Sequence, residues 1–206
     1  MTKLLHISSS PRTGEAASLA IADEFLHTYA AAHPDHEIEH WDLWDGSLPD
    51  FRIGAAAKMT IFAGRQPTGA EAEAWSQARA VFDRFDSADK LLFSVPMWNS
   101  SVPYVLKQFI DVVSQPGWVF GVDTETGYTG LYAARPVAVV YTSAVWGPEL
   151  PPAFGENHQS TFFGGWLRWA GITDIDEIRF HPTLTGDYEA ARSAAFADAR
   201  DLAKRF

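Results

Sequence analysis

"HISSSPRTGEAAS", running from His6 to Ser18, decides how the rest of this chain is read. It is entered from the apolar pair Leu4-Leu5 and leaves into an alanine-rich stretch. A buried strand that ends in hydroxyls and reopens as a helix is one unit of a parallel α/β sheet. The loop sits at the mouth of that helix, where the first backbone N–H groups lack partners and the dipole is positive. Ser9, Ser10 and Ser18, with Arg12 nearby, suit a phosphate there. The plain alternative is that a serine or threonine merely caps the helix. By itself the loop barely separates the two.

Working outward, the same alternation repeats. Lys3–Ser8 reads as a strand, Ala16–Ala32 as a helix and Glu37–Leu43 as a second strand. A Pro/Gly-punctuated stretch from Gly46 to Gly69 precedes a helical pattern over Ala70–Phe85. "DKLLFSVP" (Asp89–Pro96) is a strand, followed by a helix from Pro103, a favoured first-turn residue, to Val113. "RPVAVVYTS" (Arg135–Ser143) is the most strand-like segment. Phe162–Trp169 reads as a helix, Asp174–Phe180 as a strand and Tyr188–Phe206 as an amphipathic helix. Five such strands imply right-handed crossovers and a doubly wound, flavodoxin-like parallel sheet with helices on both faces. No repeat or linker divides the 206 residues, so a single domain is expected.

That architecture assigns a place to ligands before any motif does. In an open parallel sheet they bind beyond the carboxyl ends of the strands, where the strand order reverses. Ser8–Ala17, Pro96–Val102 and Ser143–His158 occupy such ends and are expected to converge. The first loop has neither G-x-G-x-x-G nor a Gly-Lys-Ser/Thr ending, which argues against a dinucleotide held in the Rossmann manner and against phosphoryl transfer from ATP. A mononucleotide remains, and FMN suits this topology. In the second loop, "VPMWNSSVPYVLKQFIDVV" (Val95–Val113), Met97 and Trp98 suit the face of a flat ring and the Asn99 amide its polar edge. An aromatic plug in an ordinary strand-to-helix turn explains the same residues.

Composition narrows the partners. The net charge is −10, against a general nucleic-acid surface. No apolar run is long enough to cross a bilayer, no signal peptide precedes the first strand, and a cytoplasmic protein is expected. There is no cysteine, so disulfides, thiolate chemistry and Cys-based metal sites are excluded. Eight tryptophans and fourteen phenylalanines are enough to fill a core and to furnish loops as well.

Pro96-Met97-Trp98-Asn99, the helix with Leu106-Lys107 and Phe109-Ile110-Asp111, and "GWVFGVDTETGYTGL" (Gly117–Leu131) resemble the FMN-dependent NADH-azoreductase and NAD(P)H:quinone oxidoreductase family. The resemblance covers nearly the whole chain. It implies FMN as cofactor, NADH or NADPH as donor, a quinone or other planar aromatic acceptor including azo compounds, and a homodimer. Carried over by position, the phosphate-binding residues fall on Ser10 and Ala16-Ala17-Ser18. The ring-binding stretch falls on Met97-Trp98-Asn99-Ser100 and the last flavin loop on Ser143-Ala144-Val145-Trp146. Here the chain departs from relatives that carry Gly-Gly and a nearby histidine, and Trp146 is expected as a wall of the substrate pocket. The resemblance also implies that Trp118 and Tyr128 form a lid or meet the partner subunit; core packing is an equal reading for Trp118.

No side chain stands out as an acid, base or nucleophile. Backbone N–H groups of the third loop, and after them His158, are the expected stabilisers of a reduced flavin. Asp111 is expected to be ion-paired. Two further readings stay open: a flavodoxin-like electron carrier with poor NAD(P)H turnover, and a flavin-free α/β hydrolase, for which the chain offers no G-x-S-x-G elbow.

Overall fold

In the computed structural model, which describes residues 1–12, 16–132 and 135–206, five parallel strands form the centre. They are β1 (Lys3–Ser8), β2 (Glu37–Asp42), β3 (Lys90–Pro96), β6 (Val137–Thr142) and β7 (Ile175–Phe180), in the spatial order β2-β1-β3-β6-β7. Every pairing in this sheet is parallel. Chain direction across the sheet reverses between β1 and β3, so the ligand-binding end predicted from topology lies beyond Ser8 and Pro96.

Alternation along the strands splits the core in two. Leu5, Ile7, Leu91, Phe93, Val137, Val139 and Tyr141 pack with α3 (Ala70–Asp86), α4 (Tyr104–Val113) and α5 (Gln159–Ala170). Their neighbours Leu4, Leu92, Ala138, Val140, Ile178 and Phe180 face the other way, onto α1 (Ala17–Ala32) and α6 (Tyr188–Arg205). Period-2 side-chain placement requires this division once both faces are covered. All six residues of β6 are buried, and each buried valine contributes roughly 1.5–3 kcal/mol.

Two features differ from the sequence reading. The punctuated stretch holds a helix, α2 (Arg52–Phe62), and Gly54 permits it because a Cβ there would lie 2.5 Å from the Phe51 ring. Pro103 is the N-cap of α4 and lies just outside its first turn, with ψ at 144°.

The hairpin β4 (Phe120–Asp123) and β5 (Gly127–Gly130) is fastened to the end of α5. Tyr132 N–H donates to Ala170 O at 2.9 Å, and a Cβ on Gly130 would fall 2.4 Å from the Gly171 nitrogen. Trp169 packs on Phe120 and Tyr128, while Trp118 packs on Trp75 and Phe82 against the core. Trp118 is thus packed on the core while remaining partly exposed. Trp166 is buried and donates its indole N–H to Ser114 Oγ. Asp111 accepts from Lys107 at 2.7 Å, the expected ion pair.

Candidate functional site

The first loop divides its serines between two duties. Ser9 donates its hydroxyl to the carbonyl of Ser94, 2.9 Å away on β3, and is not available to a phosphate. Ser10 is buried, and its N–H reaches Ser8 Oγ at 3.4 Å. Residues 13–15 of this loop lie outside those described. The helix that follows has no side-chain cap at Ala16 and no acidic residue in its first turn. Ser18 lies in that turn, 1% exposed, and its hydroxyl has no hydrogen-bond partner among the described residues. An unmet buried hydroxyl costs about 1–3 kcal/mol. Here it sits in the first turn of a helix with no side-chain cap at Ala16, a combination that suits an anion and leaves the capping reading without a cap there.

The second loop is a tight turn. Trp98 and Ser101 exchange backbone hydrogen bonds at 2.8 and 2.9 Å across Asn99 and Ser100, whose φ values are 48° and 66°. Two positive φ values mark the geometry of a type I′ turn, which asparagine tolerates and serine does not favour. Met97 N–H donates to Thr142 O at 2.7 Å, and His158 N–H holds the turn from outside through Ser100 O. Trp98 packs with Trp44, whose indole N–H reaches Ser9 O at 2.9 Å, so the first two loops are tied together.

The third loop is tied to the chain that follows β7. The Ser143 carbonyl accepts from Thr183 N–H at 2.9 Å, and the Ala144 carbonyl accepts from Leu184 N–H at 2.9 Å. The Ser143 hydroxyl donates to Trp146 O. Gly147 allows this closeness, since a Cβ there would lie 3.1 Å from Pro182.

These loops enclose a cleft of about 200 Å³ at the carboxyl end of the sheet. Of the residues expected in the site, Ser10, Ala16, Ala17, Ser18, Met97, Trp98, Ser143 and Ala144 line it together. Asn99 lines a neighbouring hollow on the far side of Trp98, with Tyr104 and Lys107. Ser100, Val145 and Trp146 are outside the cleft lining; Val145 is exposed and Trp146 packs edge-on against His181. Beyond the carried-over set the cleft also gathers Pro11, Arg12 and Pro96, and two hydroxyl side chains, Thr142 and Thr183. Thr183 follows β7, a strand end that the sequence reading did not include among its ligand loops although the same rule covers it.

Three hollows among the described residues are larger, about 400 Å³ beside Trp41 and Arg84, about 430 Å³ beyond Trp98 and about 310 Å³ beside Asp176 and Arg205. The smaller cleft is the better candidate because it alone joins an uncapped helix start, an unmet buried hydroxyl and a guanidinium.

Titratable groups near the site are few. His6, beneath the first loop, is buried against Ser94 Oγ and His40; burial, then His40, pushes its pKa down to about 3. His158 is exposed and pairs with Glu156 at 3.0 Å, away from the cleft lining. That geometry removes it as an expected stabiliser of a reduced flavin. His181 is held below the ordinary histidine value by burial.

A family described as having a flavodoxin-like fold matches residues 2–203. An FMN-dependent NADH:quinone oxidoreductase of Ruegeria pomeroyi is 42% identical over 199 residues, covering 96% of this chain and 98% of the relative. One of the same name from Desulfotalea psychrophila is 39% identical, over 99% of this chain and 97% of its own. The crystal structure of an azoreductase from Bacillus anthracis superposes with a TM-score of 0.89 at 26% identity, each chain fully covered.

Proposed function

The chain belongs to the flavodoxin-like-fold family, and from that premise we propose that it is an FMN-dependent NAD(P)H:quinone oxidoreductase. One observation carries the reading: the Ser18 hydroxyl, buried and unpartnered at an uncapped helix start, in the cleft that Met97, Trp98, Ser143 and Ala144 also line. Bound there, FMN supplies two-electron redox chemistry between a nicotinamide and a quinone.

The protein's part is binding and orientation. Ser10, Ser18 and the first N–H groups of α1 hold the phosphate, with the Arg12 guanidinium as the nearby positive charge. Met97 and Trp98 supply an apolar wall for the ring, while Ser143 and Ala144 present backbone to its edge. Asn99 and Ser100 act from the second loop by fixing the I′ turn that orients Trp98. The N–H groups of Ala144, Val145 and Trp146 are the donors this reading assigns to charge on the reduced ring. With FMN held in a cleft of about 200 Å³, nicotinamide and quinone would have to enter in turn, and ping-pong kinetics are expected. Val145, Trp146, Tyr128 and the exposed Tyr104 belong to the acceptor side and to a homodimer contact.

The reading takes residues 1–206 as one cytoplasmic domain. Among the described residues no helix is long and apolar enough to cross a membrane. The test is an anaerobic spectrum of the FMN-loaded protein. NADH or NADPH is expected to bleach the flavin band and a quinone to restore it. A band that persists with both nucleotides favours the electron-carrier alternative.

A further inference from the structure

Both ring nitrogens of His181 are buried, and neither has a hydrogen-bond partner among the described residues. A neutral imidazole carries one donor and one acceptor, and burying either without a partner is unfavourable. Such a group beside a binding cleft calls for an explanation. The ring stands edge-on against Trp146, with centroids 4.9 Å apart and planes at 67°.

The contacts around it form a closed circuit. Phe180 O accepts from Ser143 N–H at 3.4 Å, on one side of His181, and Thr183 N–H donates to Ser143 O at 2.9 Å on the other. The Ser143 hydroxyl donates to Trp146 O, and the Trp146 ring returns to His181. Ser143 and Thr183 both line the cleft. His181 is therefore the titratable member of the circuit that shapes one wall.

Protonation gives the ring two N–H donors where neither nitrogen has an acceptor. Burial opposes the charged form most, the residue's own backbone favours it in part, and Arg179, on the strand leading into the ring, opposes it further. Arg179 is itself paired with Glu177. From the third loop the facing group is the uncharged indole of Trp146.

We propose that His181 is a positioning residue for this wall: neutral, it seats Trp146 and through it the Ser143 hydroxyl, and on protonation it leaves that seat and loosens the ring end of the cleft. The proposal rests on the FMN reading above and concerns the part of the cleft remote from the phosphate.

Riboflavin separates the two ends, because it has the ring and lacks the phosphate. Its dissociation constant, read by flavin fluorescence quenching in the apoprotein, is compared from pH 8 to pH 5 in wild type, His181→Phe and His181→Gln. Wild-type binding is expected to hold through pH 6.5 and to weaken only as pH falls through the lowered His181 value, approaching roughly tenfold per pH unit below it. Both variants are expected to be flat. A second readout needs no flavin. The Trp146 indole N–H resonance, assigned by its loss in Trp146→Phe, is expected to shift with a midpoint below the ordinary histidine value. In His181→Phe it stays still.

Should His181→Phe fail to fold, His181→Gln and the wild-type resonance decide the matter. Equal pH dependence in wild type and a folded variant overturns the proposal, as does a Trp146 resonance indifferent to pH from 8 to 5. If FMN binds and riboflavin affinity ignores pH, the proposal alone fails. If neither flavin binds at any pH, the FMN reading fails and takes the proposal with it.

Discussion

Ser9 donates both its backbone N–H and its hydroxyl to one acceptor, the carbonyl of Ser94, at 3.1 and 2.9 Å. The pair locks the end of the first loop onto β3. A few residues on, Ser18 is as deeply buried and has no partner among the described residues. One serine builds the loop and the other is the one proposed to meet the phosphate, and substitution separates the two roles.

Ser9→Ala removes a bond made inside the fold. It is expected to lower stability by about 1 kcal/mol in urea unfolding. Ser18→Ala removes an unmet hydroxyl and is expected to leave stability unchanged or slightly higher. Its effect is on FMN, whose affinity falls about tenfold, the worth of one hydrogen bond to a charged group. Riboflavin affinity stays the same. Equal losses for both flavins would place Ser18 away from the phosphate.

The I′ turn of the second loop carries a serine where glycine fits better. Ser100 has φ at 66°, so Ser100→Gly is expected to raise stability by about 1 kcal/mol and Ser100→Val to lower it by more than that. Thermal unfolding of the two variants checks this directly. Two melting points shifted in the same direction would contradict it.

At the hairpin, close backbone approach is the constraint. A Cβ on Gly130 meets the Gly171 nitrogen at 2.4 Å, and that backbone is the αL end of α5. Gly130→Ala is expected to cost about 1–3 kcal/mol by overpacking. Trp169 fluorescence is expected to change with it, because the ring rests on Phe120 and Tyr128.

The buried His6 gives a pH dependence with a definite sign. Its folded pKa is pushed down to about 3, below the ordinary histidine value of 6.5. Below pH 6.5 the unfolded chain takes up a proton that the folded chain refuses. The stability is fully present above that value and is lost as pH falls toward 3. Wild type is expected to lose about 2 kcal/mol more than His6→Gln between pH 6.5 and pH 5. Parallel losses in urea unfolding would contradict the assignment.

Much of this architecture was legible because period-2 burial and strand–helix alternation are written locally. Leu4 and Leu5, or Leu91 and Leu92, announce a strand covered on both sides. α2 was hidden because only Gly54 and Ala57 are buried in it, while Ile53, Met59 and Phe62 are exposed, so it shows no apolar stripe. In the site, Ser10, Ser18, Met97 and Trp98 were readable from a hydroxyl loop and a strand-to-helix turn. Asn99 lines a neighbouring hollow that shares Trp98, in a turn of positive φ that residue type alone does not reveal. Thr183 escaped because its place depends on backbone pairing with Ser143 and Ala144, about forty residues earlier, a contact that leaves no mark in composition.

The most direct test of the account is a crystal structure of the protein soaked in FMN. The account predicts phosphate density against Ser10, Ser18 and the start of α1, with the ring between Met97-Trp98 and Ser143-Ala144. An FMN molecule lodged in another hollow, or a cleft empty at saturating FMN with Ser18 still unpartnered, would contradict it.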